Sequence, residues 1–382
     1  MPGKTDLDAF SVPQSKQTRI RNHTDMATKE LRLMKGNEAL AEAAIRAGAD
    51  AYFGYPITPQ SEVIEYLMRE NPADRTGMQV LQAESEVAAI NMVYGAAGCG
   101  KRVITSSSSP GISLKMEGIS YIAGAELPCV VVNVVRAGPG LGTIQPSQSD
   151  YFQAVKGGGH GDYKLIVLAP ATVQESVDYV KLAFELAFKY RNPVMILSDG
   201  IIGQMMEKVE LFEQMPRDTT EYEWATVGKK PGKPSAIVTS LQLQSEEQEK
   251  VNLRLQAKYR EMEKNEVLFE THQCDDAEYL FVAFGSCARI TRKAMEMARE
   301  KGIKVGLIRP QTLYPFPYDE ISRLASQMKG VLTVEMNAGQ MVEDVRLAVN
   351  GKTPVKFYGR FGGMIPSPEE ILEALEQKIV GG

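Results

Sequence analysis

The run Cys129-Val130-Val131-Val132-Asn133-Val134-Val135 constrains the fold more than any other stretch of this chain. A strand with one solvated face alternates apolar and polar residues. This run is apolar on both faces except at Asn133, the pattern of a parallel-sheet strand covered by helices on both sides. Shorter runs at 51–55 and 193–200 have the same character, and helical patterns at 37–47, 62–67 and 173–189 separate them. Strands alternating with helices predict a doubly wound α/β domain over about residues 31–208. A second α/β unit is predicted over 277–382, opening on Tyr279-Leu280-Phe281-Val282 and continuing with strands at 305–309 and 330–335. Between them, 209–276 reads as a charged connector with a helix at 246–264, and residues 1–30 read as an arm.

Composition narrows the classes. The apolar fraction of 43% and the charged fraction of 24% are those of an ordinary globular protein. No apolar run approaches the ~20 residues a bilayer span requires. The first thirty residues lack the apolar block of a signal peptide, so a cytoplasmic location is expected. A net charge of −5 with intermixed signs leaves no basic footprint for nucleic acid. The four cysteines, Cys99, Cys129, Cys274 and Cys287, lack the close spacing of a zinc or iron–sulfur site, and His23, His160 and His272 are scattered. No metal site is expected on this chain. GPGLG and GGGHG do not match G-x-G-x-x-G, and neither a Walker motif nor a G-x-S-x-G elbow occurs.

Three places could carry chemistry. Residues 82–118 read as a loop with two acids, a helix with apolar Val87, Ile90 and Tyr94, a short strand at 102–105, and a serine run that opens the next helix at Pro110-Gly111. Glu86 falls at the start of the first helix. The helix dipole there stabilises an acid by ~0.3–1 kcal/mol, which by itself accounts for the residue. Thr58 follows the 51–55 strand, with Pro59 suited to the first turn of the next helix, and ligands of open α/β sheets bind at such strand ends. Arg136 ends the Cys129–Val135 run and leads into a long Gly-, Pro- and Ser-rich segment, a kind of loop that is usually functional or disordered.

Taken together, GYPITPQSE, QAESEVAAINMVYGAA, TSSSSPGISL, VNVVRAGPGLGT, KGGGHGDYKLIVLAP, SDGIIGQ and VEMNAGQM resemble the α subunits of 2-oxoacid:ferredoxin oxidoreductases, the 2-oxoglutarate type in particular. The resemblance runs from about Leu31 to the C-terminus. It implies a thiamine diphosphate enzyme in which this chain supplies a pyrimidine-binding domain and a transketolase C-terminal-like domain. The implied reaction is coenzyme A-dependent oxidative decarboxylation of 2-oxoglutarate to succinyl-CoA and CO2 with reduction of ferredoxin, reversible toward CO2 fixation. A branched-chain type acting on 2-oxoisovalerate is the alternative, and a non-catalytic scaffold or a self-sufficient thiamine enzyme stands further off.

The resemblance also assigns residues. Glu86 would hydrogen-bond N1′ of the pyrimidine, with Glu84 the runner-up. Thr58 and Arg136 would bind the substrate, a guanidinium being suited to a planar carboxylate. Tyr55, Pro56 and Ile57 would line the pyrimidine pocket, with His160 and Asp162 at its border. Gly-Asp-Gly and Asn-Asn, which usually hold the diphosphate and Mg2+, are absent from the sequence. A β subunit is therefore expected to supply the diphosphate site, Mg2+ and iron–sulfur (4Fe-4S) clusters. A γ subunit and a small δ subunit are expected by analogy.

Overall fold

In the computed structural model, which describes residues 30–229, 231–232 and 234–381, the chain folds around two main sheets. The arm assigned to residues 1–30 lies outside the described residues apart from Glu30. In chain order the strands are β1 (Glu30–Lys35), β2 (Ala51–Gly54), β3 (Gln79–Gln82), β4 (Val103–Ser107), β5 (Cys129–Val135), β6 (Ile166–Leu168) and β7 (Pro193–Asp199). Then come β8 (Met206–Leu211), β9 (Phe269–His272), β10 (Tyr279–Val282), β11 (Val305–Pro310), β12 (Thr312–Tyr314), β13 (Gly330–Glu335) and β14 (Val355–Gly359).

The first sheet has seven strands in the order β12-β6-β7-β5-β4-β2-β3, parallel except for β12. At its centre every residue of β5 is buried. The second sheet, β14-β13-β10-β11-β9, is parallel except for β9. Helix Ser109–Gly124 contributes Ile112, Met116, Ile119 and Ile122 to a core that continues through Leu280, Val282, Ile308 and Val331 of the second sheet. The two units therefore share one apolar interior.

Several strands escape the sequence reading (β1, β3, β6, β8, β9, β12 and β14), and three of them, short and held by partners far along the chain, change the domain picture. The β8 strand crosses the predicted domain end at 208 and pairs antiparallel with β1. Within the connector, β9 joins the second sheet beside β11. From the second unit, β12 crosses over and closes the edge of the first sheet against β6. The connector helix Ser245–Asn265 buries Leu255, Tyr259 and Met262 against the core of the first unit. Smaller corrections concern helix register. Helix Ser61–Glu70 starts two residues after Pro59, which lies in the preceding turn. Helix Glu86–Gly98 buries Ala89, Ile90, Val93 and Ala97, while Val87 faces outward at 46% exposure. Alanines and branched residues share the packing there, and Ile90 fits against Gly118, where a Cβ would sit 2.6 Å from it.

A buried charge cluster braces the first helix, Gly36–Arg46. The Glu42 carboxylate, fully buried, accepts from Arg46 Nε (2.7 Å), both terminal nitrogens of Arg75 (3.0 and 2.7 Å) and the Tyr66 hydroxyl (3.1 Å). Burial alone would raise its pKa, but hydrogen bonds from Arg75 and Arg46 outweigh burial and hold it below the usual value. A depressed carboxylate stabilises the fold above its unfolded pKa, and that stability is lost as the pH falls through the folded value. Glu42→Gln leaves two guanidinium groups facing a neutral amide. It is expected to lower stability at pH 7 by about 3–5 kcal/mol, with a smaller loss near pH 4, both read by thermal or denaturant unfolding. Equal loss at both pH values would contradict this account.

Among the described residues, no helix is long and apolar enough to cross a membrane.

Candidate active site

The order of the first sheet creates a crevice at one place. From β2 the chain moves outward to β3, then returns across β2 to β4 and continues the other way through β5. The direction of winding thus reverses between β2 and β4. Ligands of doubly wound sheets bind at the carboxyl ends of strands flanking such a reversal. The residues that follow β2, β4 and β5 there are Tyr55 to Gln60, Ser108 to Gly111, and Arg136. Sequence-assigned residues from three separate motifs are therefore neighbours in space.

Glu86 enters this crevice as the first residue of helix Glu86–Gly98, and it is 6% exposed. Ser85 caps the helix by accepting from Ala88 N at 3.2 Å, so the cap does not depend on Glu86. Glu84 is exposed and, among the described residues, accepts only from the Ser85 hydroxyl at 3.0 Å. Burial thus separates the two acids and favours Glu86 as the inward-facing one. Opposite it stands Gly111 in the first turn of helix Ser109–Gly124, where a Cβ would lie 2.1 Å from Ser107 Oγ and 2.6 Å from Glu86 Oε1. Gly111 is thus the wall against which the carboxylate rests.

Arg136 is drawn in by its own backbone. Its N–H donates to Ser109 Oγ (3.1 Å), and that hydroxyl donates back to the Arg136 carbonyl (3.0 Å). The guanidinium donates to the Thr58 carbonyl (2.9 Å) and the Leu141 carbonyl (3.1 Å), so Thr58 and Arg136 are in contact. Thr58 itself is exposed at the mouth, with exposed Tyr55 and partly buried Pro56 and Ile57 beside it. The turn is pinned from behind: Asn37 and Gln204 both donate to the Pro59 carbonyl (2.7 and 3.0 Å). Gln60 Oε1 accepts from Ser106 Oγ at 2.5 Å.

The long segment after Arg136 is ordered by the second unit. Gln148 donates through its N–H to the Met336 carbonyl (2.9 Å) and through Nε2 to the Phe284 carbonyl (2.8 Å), and accepts from Met336 N (3.1 Å). Further on, Tyr151 donates to Asp344 at 2.7 Å. The C-terminal ends of β10 and β13 thereby clamp the loop that carries Arg136. His160 and Asp162 lie elsewhere: His160 packs edge-on against Tyr121 and donates to Ser120 Oγ, near the other end of helix Ser109–Gly124. Nine residues separate Ser120 from Gly111 at about 1.5 Å each, so these two residues do not border the crevice.

Polar atoms without partners mark what the crevice can accept. Ser107 Oγ, Ser108 Oγ, Asn133 Oδ1 and Arg136 Nε are buried and have no hydrogen-bond partner among the described residues. They gather at the carboxyl ends of β4 and β5. Such groups are costly unless a ligand or water satisfies them. A heteroaromatic ring with hydrogen-bonding edges fits this donor set together with Glu86. Among the described residues no group of three or more His, Cys, Asp or Glu could hold a metal ion. The four cysteines are free thiols, with Cys129 and Cys287 buried.

Sequence reading passed over three residues that the structure brings here: Ser107, Gly111 and Lys115. The last is fully buried on helix Ser109–Gly124. A signal for it existed, because Lys115 stands three residues after Ile112 and four before Ile119, on the apolar stripe.

Comparison with known proteins fits this geometry. The sequence model described as pyruvate flavodoxin/ferredoxin oxidoreductase, thiamine diphosphate-binding, matches residues 42–271, and that of pyruvate:ferredoxin oxidoreductase core domain II matches 277–371. Ketoisovalerate oxidoreductase subunit VorB of Methanothermobacter thermautotrophicus is 50% identical over 352 residues, 92% of this chain and 98% of that protein. The chain belongs to this family. It is an α subunit of the 2-oxoacid:ferredoxin oxidoreductases, enzymes that work with partner subunits.

Within the family, 2-oxoglutarate synthase subunit KorA of Methanocaldococcus jannaschii is 35% identical over 369 residues, 91% of this chain and 99% of that protein. Among solved structures, the 2-oxoglutarate:ferredoxin oxidoreductase from Magnetococcus marinus, with 2-oxoglutarate, coenzyme A and succinyl-CoA bound, superposes with a TM-score of 0.79 at 28% identity. The match covers 92% of this chain and 65% of that one. A split-gene transketolase shares the fold, with a TM-score of 0.55 at 14% identity.

Proposed function

We propose that this subunit serves a branched-chain 2-oxoacid:ferredoxin oxidoreductase, which oxidatively decarboxylates 2-oxoisovalerate and related acids to acyl-CoA and CO2. The observation that carries the substrate class is identity along nearly the whole chain: 50% to the ketoisovalerate subunit against 35% to the 2-oxoglutarate subunit. Reading 2-oxoglutarate as substrate, the preference drawn from the sequence motifs, remains the second proposal. The solved 2-oxoglutarate enzyme, 28% identical, supports it.

In this reading the crevice receives the pyrimidine end of thiamine diphosphate. The cofactor, when bound, supplies the electron sink for decarboxylation. Glu86 presents a carboxyl to the ring nitrogen N1′ and holds a proton there. Ser107 and Ser108 offer hydroxyls to the ring edge. Tyr55, Pro56 and Ile57 cover the ring and limit access of water. Arg136, already oriented by Thr58 and Leu141, keeps Nε for the substrate carboxylate, and Thr58 offers its hydroxyl beside it. The diphosphate, Mg2+ and iron–sulfur clusters fall to a β subunit, and γ and δ subunits complete the assembly in the cytoplasm, delivering electrons to ferredoxin. The division at about 208 and 276 into a pyrimidine-binding domain, a connector and a transketolase C-terminal-like domain belongs to the same proposal.

The test is coenzyme A-dependent reduction of ferredoxin or a viologen by the native complex purified through this chain. The kcat/KM for 2-oxoisovalerate is expected to exceed that for 2-oxoglutarate and pyruvate by about tenfold or more, a margin of 1–3 kcal/mol in a side-chain pocket. A preference for 2-oxoglutarate would install the second reading. No turnover of any 2-oxoacid by a complex with cofactor and clusters intact would sink both.

A further inference from the structure

The motif VEMNAGQM, residues 334–341, belongs to the second unit, yet its polar side chains end on the segment that follows the Arg136 loop. Its acid, Glu335, closes β13 and has no solvent exposure. The carboxylate accepts from Met341 N (2.8 Å), Val342 N (2.9 Å), Gln340 N (3.3 Å) and Asn337 Nδ2 (2.9 Å). Asn337 is thereby fixed. One amide hydrogen goes to Glu335 and the other to the Gln148 carbonyl at 2.9 Å, while Oδ1 accepts from Gly339 N at 2.8 Å. Turned over, the amide would set its oxygen against a carboxylate and a carbonyl, so one orientation is stable. Gln340 Nε2 donates to the Ser149 carbonyl (2.8 Å) and its Oε1 accepts from Phe152 N (2.8 Å), as a neighbouring strand would.

What these amides hold is main chain. Pro146, Ser147 and Gln148 are buried, and buried main-chain groups require partners. Gln148 N, Gln148 O, Ser149 O and Phe152 N all find theirs in the second unit, the first of them at the Met336 carbonyl. Arg136 is tied to the same segment: it forms a β-bridge with Pro146, and Ala137 N donates to the Gln145 carbonyl at 3.0 Å. From the other side, Asn133 Nδ2 on β5 donates to Asp150 at 2.8 Å. A strap over 146–152 thus runs between the strand end that bears Arg136 and the turn at 336–340. The shared apolar core already joins the two units, but apolar contact is non-directional. The hydrogen bonds, with their narrow geometry, set where the strap lies.

We propose that Asn337 and Gln340 are positioning residues for Arg136: they fix the strap whose Pro146 bridges Arg136, and so set where the guanidinium meets the carboxylate of the 2-oxoacid. This rests on the reading of Arg136 as the substrate-binding arginine.

Gln340→Met removes both side-chain bonds to the strap and keeps the main-chain N–H that serves Glu335. In the assembled complex it is expected to raise KM for the 2-oxoacid turned over best by about tenfold, mid-range for residues in one network. A kcat changed by less than about twofold is expected with it, the pattern of lost substrate binding. The deciding measurement is a double-mutant cycle with Arg136→Lys, which keeps the charge and loses the planar fork. Because lysine's flexible stem does not depend on a fixed fork, Gln340→Met is expected to raise KM by less than about twofold in that background. Equal rises in both backgrounds, or a fall in kcat without a rise in KM, would assign Gln340 a purely structural part and overturn the proposal. Should Gln340→Met fail to assemble, Gln340→Glu keeps the length and the acceptor for Phe152 N, removes the donor to Ser149, and is judged by the same cycle. An Arg136→Lys complex with the wild-type KM would instead overturn the reading of Arg136 itself.

Discussion

Replacing Glu86 with glutamine in the assembled complex is expected to lower kcat by about 10²–10⁴-fold, the usual contribution of a positioned acid or base. The substitution keeps shape and hydrogen-bonding length, and removes only the ability to hold and release a proton at N1′. Assembly should be unaffected, because the helix N-terminus is capped by Ser85 independently of Glu86. The loss should appear in kcat more than in KM, since the proton position matters to reaction more than to substrate binding. Steady-state rates with the preferred 2-oxoacid, alongside size-exclusion profiles of the complex, provide the check. Full activity in an intact Glu86→Gln complex would return this subunit to the scaffold reading.

The Gly111→Ala variant is expected to fail in the opposite way from what helix propensity predicts. Alanine in a helix interior is favoured over glycine by about 0.5–1 kcal/mol, so a calculation blind to the neighbours predicts a stabilised protein. Here the added methyl would stand 2.1 Å from Ser107 Oγ and 2.6 Å from Glu86 Oε1, too close for either to remain in place. Both side chains must move away from the ring they are proposed to meet. A displacement of about 1 Å at a reacting group can cost 10²-fold, and that loss is expected in kcat/KM together with weaker cofactor binding. Unchanged activity with a raised melting temperature would show that the crevice has slack and that Gly111 is not its wall.

These two residues illustrate different degrees of legibility. Glu86 was readable because its position is local: an acid one residue after a capping serine, at the head of an apolar helix, within a recognisable motif. The resemblance already set it above Glu84; the fold adds the physical reason, since one carboxylate is buried and its neighbour two residues away is solvated. Gly111 was visible as a helix opener but not as a wall, since its importance lies in Glu86, 25 residues earlier in the chain. Val87 was assigned inward because it is large and apolar. The helix instead buries Ala89, Ile90, Val93 and Ala97, with Ile90 seated against Gly118. His160 drew attention as a histidine in a glycine-rich loop, yet that loop packs at the distal end of its neighbouring helix.

What the sequence determined by itself is the part governed by short range: the central strands and main helices, helix starts near Glu86 and Pro110, the continuous burial of β5, and the residue types at Thr58, Glu86 and Arg136. Periodicity and capping act over a few residues, so they survive without knowledge of the fold. Only the tertiary structure decided that β12 crosses to the first sheet, that Gln148 bolts the Arg136 loop to the second, and that the buried Lys115 donates to Thr105 and Ser106 of β4. Each of these depends on which distant segment supplies the missing hydrogen-bond partner or opposing charge. That partner is chosen by packing of the whole chain, because a buried polar group is stable only where something else satisfies it.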